Sequence, residues 1–338
     1  MRHITRRRLG IPFALWAAGL AGLLCLPVAA RAQITADAIL SNMGLSADDK
    51  QKVLNGEFVT ANVPGVSDRD LAFAIAFLVK ATPEAVSKQI VAGQLITADA
   101  QVQSNGEFAN PGSLADLAKL KITDDEAKAL AGAKPGDAIN LSTSEFAAFQ
   151  AIGSGTPQAV LPVLQQMLLA RYQAYRSSGL AGIAPYDRGG GKKSDLAPDL
   201  RKATEALKVL QKEMPGFYAV LLNYPKATLP GMTENFFWTR SVIEKKPTYA
   251  LSHVLAAADG PNRAVVRRQY YASTGYNGEQ TVAGFLPVQG GTVAVCISHA
   301  FTDQVTGFGG SMKRSIGSNI MASKMKEIFE SGRKKVNQ

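Results

Sequence analysis

The stretch Thr248-Tyr249-Ala250-Leu251-Ser252-His253-Val254-Leu255-Ala256, with Ala264 to Ser273 after it, decides the fold. Both segments are apolar, rich in β-branched and aromatic residues, and separated by Asp259-Gly260-Pro261-Asn262, whose composition is that of a turn. Gln280 to Val288 and Gly291 to Phe301 repeat the pattern around Gln289-Gly290-Gly291. Four strands joined by two tight turns read as an antiparallel meander, and Phe236 to Ile243 adds a fifth strand. The period then changes. From Ser311 to Arg333 the apolar residues Met312, Ile316, Ile320, Met325, Ile328 and Phe329 recur at helical spacing, which predicts one long closing helix.

Upstream of the meander the chain is helical. Val160 to Arg176 carries a stripe of Leu161, Leu164, Met167, Leu168, Tyr172 and Tyr175, and further helices are expected over Asp199 to Glu213 and Phe217 to Tyr224. Between them Gly189-Gly190-Gly191-Lys192-Lys193 marks a candidate mobile loop. Still earlier, Asp48 to Gly56 matches Asp124 to Gly132, and Thr82-Pro83-Glu84-Ala85-Val86 matches Thr156-Pro157-Gln158-Ala159-Val160. Ser67-Asp68-Arg69-Asp70-Leu71-Ala72 has the character of Ser142-Thr143-Ser144-Glu145-Phe146-Ala147. Each copy reads as a capped helix, a short extended link, a second capped helix and a Thr-Pro helix start, an apparent internal duplication.

Charge divides the chain in the same way. The 338 residues carry a formal charge of +10, with 46% hydrophobic and 19% charged residues, which excludes a disordered or disulfide-rich chain. Residues 1–32 hold Arg2, Arg6, Arg7, Arg8 and Arg31 and no acid. They read as an export signal: a basic start, an apolar run from Leu9 to Ala29, and Ala30-Arg31-Ala32 before Gln33. Thr5-Arg6-Arg7-Arg8-Leu9 partly resembles a twin-arginine signal, and an uncleaved anchor is the rival reading. Residues 33–165 then carry 9 basic and 15 acidic residues, and residues 166–338 carry 23 and 12. The expected organisation is a signal peptide (1–32), an acidic, mainly helical region (33–165) and a basic α+β region (166–338).

The expected fold class is α+β, with an antiparallel sheet closed by the C-terminal helix. Over Pro225–Arg333 this element order resembles the helix-grip fold of START-like domains, which implies an apolar cavity between sheet and helix. Lys134-Pro135-Gly136-Asp137, Arg171 to Arg176, Lys246 to Val254 and Thr302 to Gly310, with Lys313-Arg314-Ser315, resemble an uncharacterised family of exported bacterial proteins. That resemblance implies the architecture and the compartment and carries no established activity. It also implies cysteines flanking the Pro-Gly-Asp turn, where this chain has Ala133 and Ala138.

Chemistry-bearing residues are sparse. Past the export signal the one cysteine is Cys296, inside an apolar run, which excludes an internal disulfide and a thiolate zinc site and predicts a buried, inert thiol. No metal or cofactor is expected. Period-two alternation puts His253 on a face with Tyr249, Leu251 and Leu255, and His299 with Val293, Val295, Ile297 and Phe301. Each imidazole reads either as a core side chain with one hydrogen bond or as a polar group in a cavity, and Asp303 as its orienter or as a turn cap. Tyr249, His253, Arg267, Tyr271, His299 and Phe301 are the candidate ligand-lining residues. Gly309, Gly310, Ser311, Lys313 and Arg314, at the start of the last helix, are a candidate anion site or a plain strand-to-helix connection.

Three functions remain open on these grounds. The first is a non-catalytic periplasmic carrier for a hydrophobic or amphipathic small molecule or lipid. The second is an acid–base or hydrolytic enzyme using His253 or His299 with Asp303. The third is an envelope protein docking an anionic membrane surface or partner. Basic residues beside aromatics at Arg267-Arg268 and Tyr270-Tyr271 also suit nucleic acid, but an exported chain rarely meets it, so no nucleic-acid partner is expected.

Overall fold

The computed structural model describes residues 33–307 and 309–336, so the expected export signal lies outside the described residues. The meander forms as expected: β6 (Thr233–Ile243), β7 (Lys246–Asp259), β8 (Asn262–Ala272), β9 (Gly278–Val288) and β10 (Gly291–Phe301) pair antiparallel in chain order. Three strands from the acidic region extend it: β1 (Val59–Ala61), β2 (Asp70–Val79) and β3 (Val102–Glu107). The resulting eight-stranded sheet runs β1-β2-β10-β9-β8-β7-β6-β3 and is open, with β1 and β3 at its edges. A separate two-stranded ribbon joins β4 (Tyr186–Asp187) to β5 (Lys193–Ser194) around the triple-glycine turn.

Helices cover both faces. On one, α3 (Pro83–Val91), α4 (Gln94–Ala98) and the C-terminal α11 (Gly310–Val336) pack on Phe73, Ile75, Phe77, Val254, Val265, Phe285 and Cys296. On the other, α5 (Asp124–Ala131), α6 (Thr143–Gln150), the 22-residue α7 (Pro157–Ser178) and α8 (Ala197–Glu205) enclose Phe236, Trp238, Tyr249, Leu251, Tyr271 and Phe301. Farther along that second face, α9 (Lys208–Glu213) and α10 (Pro215–Asn223) cover Leu255, Ala257, Ala264 and Val266. Toward its other end, α1 (Ala36–Asn42) and α2 (Ala47–Leu54) cover Ala76, Leu286, Val293 and Val295. Residues 33–338 thus form one compact unit in which acidic and basic regions share a sheet, and α7 runs unbroken through residue 165.

The expected duplication agrees at its ends and departs in the middle. α2 and α5 are both capped as expected, by Ser46 and Thr123, and α3 and α7 both begin at Thr-Pro. The second helix of the first copy is corrected. Ser142 caps α6, but its counterpart segment from Ser67 leads into β2. The physical reason is the residue period after Asp70. Leu71, Phe73, Ile75, Phe77 and Val79 alternate with Ala72, Ala74 and Ala76, a two-residue rhythm that gives a strand one bulky and one flat face. A helix would scatter those large side chains around its circumference.

The α11 stripe is also divided. Ala322, Met325 and Phe329 are buried against the sheet, whereas Met312, Ile316 and Ile320 are 70%, 55% and 53% exposed.

Gly291 begins β10 at φ 151°, and a Cβ there would lie 2.2 Å from the Val79 carbonyl oxygen. That neighbour is strand backbone and cannot swing away. Gly291→Ala is therefore expected to destabilise the chain by on the order of 2 kcal/mol, seen as a lower urea midpoint, whereas Gly290→Ala, with nothing within 4 Å, suffers the left-handed φ alone.

Candidate functional site

Both histidines sit on the face beneath α7 and α8, and both are buried. His253 Nε2 lies 2.8 Å from a Glu234 carboxylate oxygen, and its Nδ1 lies 3.3 Å from the Tyr175 hydroxyl. Burial pushes the imidazole down to about 4, against the opposing pull of Glu234. The neutral ring then donates from Nε2 to Glu234 and accepts the Tyr175 proton at Nδ1. Tyr175 also accepts from Arg268 Nη1 at 3.3 Å. Arg268 also donates to Gln280, Thr204 and the Leu221 carbonyl, at 2.9, 3.1 and 3.0 Å. Phe236 stacks on His253 at 4.1 Å and Tyr270 on Tyr175 at 4.0 Å, fixing both rings.

A carboxylate, imidazole and hydroxyl in series is the arrangement that activates nucleophiles. Here the hydroxyl end is the closed end. Tyr175 is fully buried, and burial raises its phenol despite Arg268. Glu234, 28% exposed, is the end that meets solvent. Burial alone would raise its carboxyl, and the His253 hydrogen bond, helped by the Arg176 charge and the Tyr224 hydroxyl, outweighs this and lowers it. The relay therefore acts to hold α7 on β7 and β8 through directed polar contacts.

His299 is held separately, with β8 and β9 between β7 and β10. Its Nδ1 lies 2.7 Å from Asp70 Oδ2, which also accepts the Val66 amide at 2.7 Å. Asp70 Oδ1 is buried without a hydrogen-bond partner. Asp303 goes elsewhere. It receives Arg69 Nη1 at 3.0 Å, Arg188 Nε at 2.9 Å and Ser194 Oγ at 3.0 Å. Burial works to raise the Asp303 carboxyl, and these donors outweigh it and lower it. No hydrogen bond joins Asp303 to either histidine among the described residues, so the expected His–Asp303 pair does not assemble here.

Of the other expected lining residues, Tyr249, Tyr271 and Phe301 lie in the same buried cluster as Tyr175, with the Arg171 guanidinium 4.2 Å from the Tyr271 ring. Arg267 occupies the opposite face and pairs with Glu279 at 2.9 Å. At the start of α11, Gly309 takes φ 73°, Ser311 and Lys313 are exposed, and Arg314 donates to the Asp68 carbonyl at 3.0 Å. Cys296 is buried as expected, and burial pushes its thiol up to about 12.

Two cavities matter for ligands. A polar cleft of about 250 Å³ opens among Gly136, Asn140, Arg188, Tyr276, Asn277 and Asp303. Its one arginine is already engaged by the cleft's own residues, Arg188 donating from Nη2 to Asn140 at 2.6 Å and from Nε to Asp303 at 2.9 Å. The second cavity, about 40 Å³, lies between the sheet and α11. Phe77, Val86, Ile90, Leu95, Phe285 and Phe329 line it, with Gln89, Gln94 and Arg333 also on its wall. The Gln89 side-chain oxygen is buried there without a hydrogen-bond partner. None of the six expected lining residues borders either cavity.

Glu234, Tyr175, Arg69, Arg188 and Asp70 were not singled out as site residues in the sequence. Only Arg188, beside the triple glycine, and Asp70, opening a long uncharged run, carried a local signal. No protein-family model, curated protein or solved structure matches the chain.

The His253 environment sets a pH dependence. The folded imidazole titrates near 4 and an unfolded one near 6.5, so the unfolded chain binds the proton first. Stability is whole above the unfolded value and falls as pH drops from there toward 4, by about 3 kcal/mol for this group. Urea midpoints at successive pH values should decline over that window, and His253→Gln should flatten the decline relative to wild type.

Proposed function

We propose that this chain is a periplasmic carrier that shelters the apolar part of an amphipathic molecule between its sheet and α11. The observation that carries the reading is the cavity beneath α11: aromatic and aliphatic walls with Gln89, Gln94 and Arg333 beside them. An apolar pocket with few polar groups is the usual form of a small-molecule site. A terminal helix packed along β2 of an antiparallel sheet is in keeping with the helix-grip expectation, and the export signal expected in residues 1–32 supports the compartment.

At about 40 Å³ the cavity holds little more than one methyl-sized group, so uptake requires α11 to lift. Its attachment suits that motion. Gly307 and Gly309 precede the helix at positive φ, and the large side chains it buries fully are Met325 and Phe329. Re-exposing two such side chains costs about 3–6 kcal/mol, less than the roughly 8 kcal/mol that micromolar binding supplies. A ligand tail then replaces the contacts that the helix gives up, and Arg333 is placed to meet an anionic headgroup.

Native mass spectrometry of the chain purified from its own periplasm is expected to show a retained lipid or amphipathic molecule. Fatty acids and lysophospholipids should raise the unfolding temperature. Ile90→Trp, which overfills the cavity, should abolish that shift, while overpacking itself lowers the unliganded stability by roughly 1–3 kcal/mol. No retained molecule together with no shift across the panel would overturn the reading.

A further inference from the structure

We infer that the outward face of α11 docks this protein on an anionic lipid bilayer. Met312, Ile316 and Ile320 recur every four residues and so line one side of the helix. That side is opposite the one formed by Ala322, Met325 and Phe329, which is buried on the sheet. Among the described residues these three are half of the exposed large hydrophobics, the others being Leu54, Leu114 and Val242, scattered through the sequence. Between them stand only Ser315 and Asn319 as exposed uncharged polar residues, so the stripe is narrow, continuous and free of acid.

Charge identifies the occupant. α11 contains seven basic and two acidic residues, and exposed Lys313 and partly exposed Lys324 flank the stripe. A second copy docked through this face by a twofold axis would set one basic helix against another. Three side chains also fall well short of the roughly 1,200 Å² that a stable dimer buries. A lamella of acidic headgroups answers both features, since lysines sit among phosphates while methionine and isoleucine enter the acyl boundary. The cavity face of α11 is turned the other way, so docking does not rest on the carrier reading.

The test is sedimentation of the chain from Gln33 onward with vesicles of phosphatidylcholine alone or mixed with phosphatidylglycerol. Wild type should partition onto the mixed vesicles only, with binding weakened by added salt. The triple variant Met312→Ser, Ile316→Ser, Ile320→Ser should lose about tenfold or more in partitioning. Its unfolding midpoint should stay at the wild-type value, because all three side chains are solvent-exposed. Lys313→Glu with Lys324→Glu should weaken binding independently. Ile90→Trp, which plugs the cavity, should leave vesicle binding unchanged, separating this proposal from the carrier reading. Equal partitioning onto neutral vesicles, no binding at all, or a wild-type dimer that the triple variant converts to monomer would overturn it, the last in favour of a second copy.

Discussion

Ten consecutive residue pairs join β2 to β10, from Asp70 opposite Phe301 to Val79 opposite Thr292. This ladder makes one molecule of an acidic N-terminal region and a basic C-terminal one. It sets the alanine face of β2 beside Val295 and Ile297, and it turns Phe73, Ile75 and Phe77 toward the helices of the opposite face. It also brings Asp70 to His299, and through Arg69, just before β2, it reaches Asp303 just beyond β10. Slipping the register by one residue would drive the aromatic side chains into the space that α1 and α2 leave for alanine and set the alanines against α11.

The polar groups follow from the same ladder and its neighbours. An open sheet covered on both faces leaves no solvent for its interior polar side chains, so each must find a partner within the protein. His253 finds Glu234 and Tyr175, His299 finds Asp70, and Arg268 finds neutral acceptors only. Such contacts are costly to leave half-made, and completed they hold helices at one place on the sheet. Completion has exceptions: the Gln89 oxygen in the wall of the cavity beneath α11 is buried without a hydrogen-bond partner, as are Asp70 Oδ1 and the Tyr270 and Tyr271 hydroxyls on the other face.

The meander and the closing helix were legible because their patterns are local: alternation, Gly-rich turns and helical spacing each act over a few residues. β2 was misread at its start because Ser67 to Ala72 resembles a capped helix until the alternation beyond it is included. The histidine faces were read correctly from parity alone. Their partners were not, because Glu234, Asp70 and Tyr175 reach them from other strands and from α7, and pairing at that distance leaves no mark in spacing. Whether the α11 stripe was buried also lay beyond periodicity, since Met312, Ile316 and Ile320 turn away from the side of the helix that packs along β2.

The β2–β10 ladder has a kinetic consequence. Its partners are far apart in the chain, with Asp70 and His299 separated by 229 positions. While β6 to β10 pair with their immediate neighbours in the chain, β2 has only the three-residue β1 beside it until the last strand has been made. Contact order is therefore weighted toward this late closure, with β3–β6 a second long-range pairing, and chain entropy opposes each more than any hairpin. Until it occurs, the Leu71–Val79 edge is exposed and sticky, a need that a holding chaperone would meet.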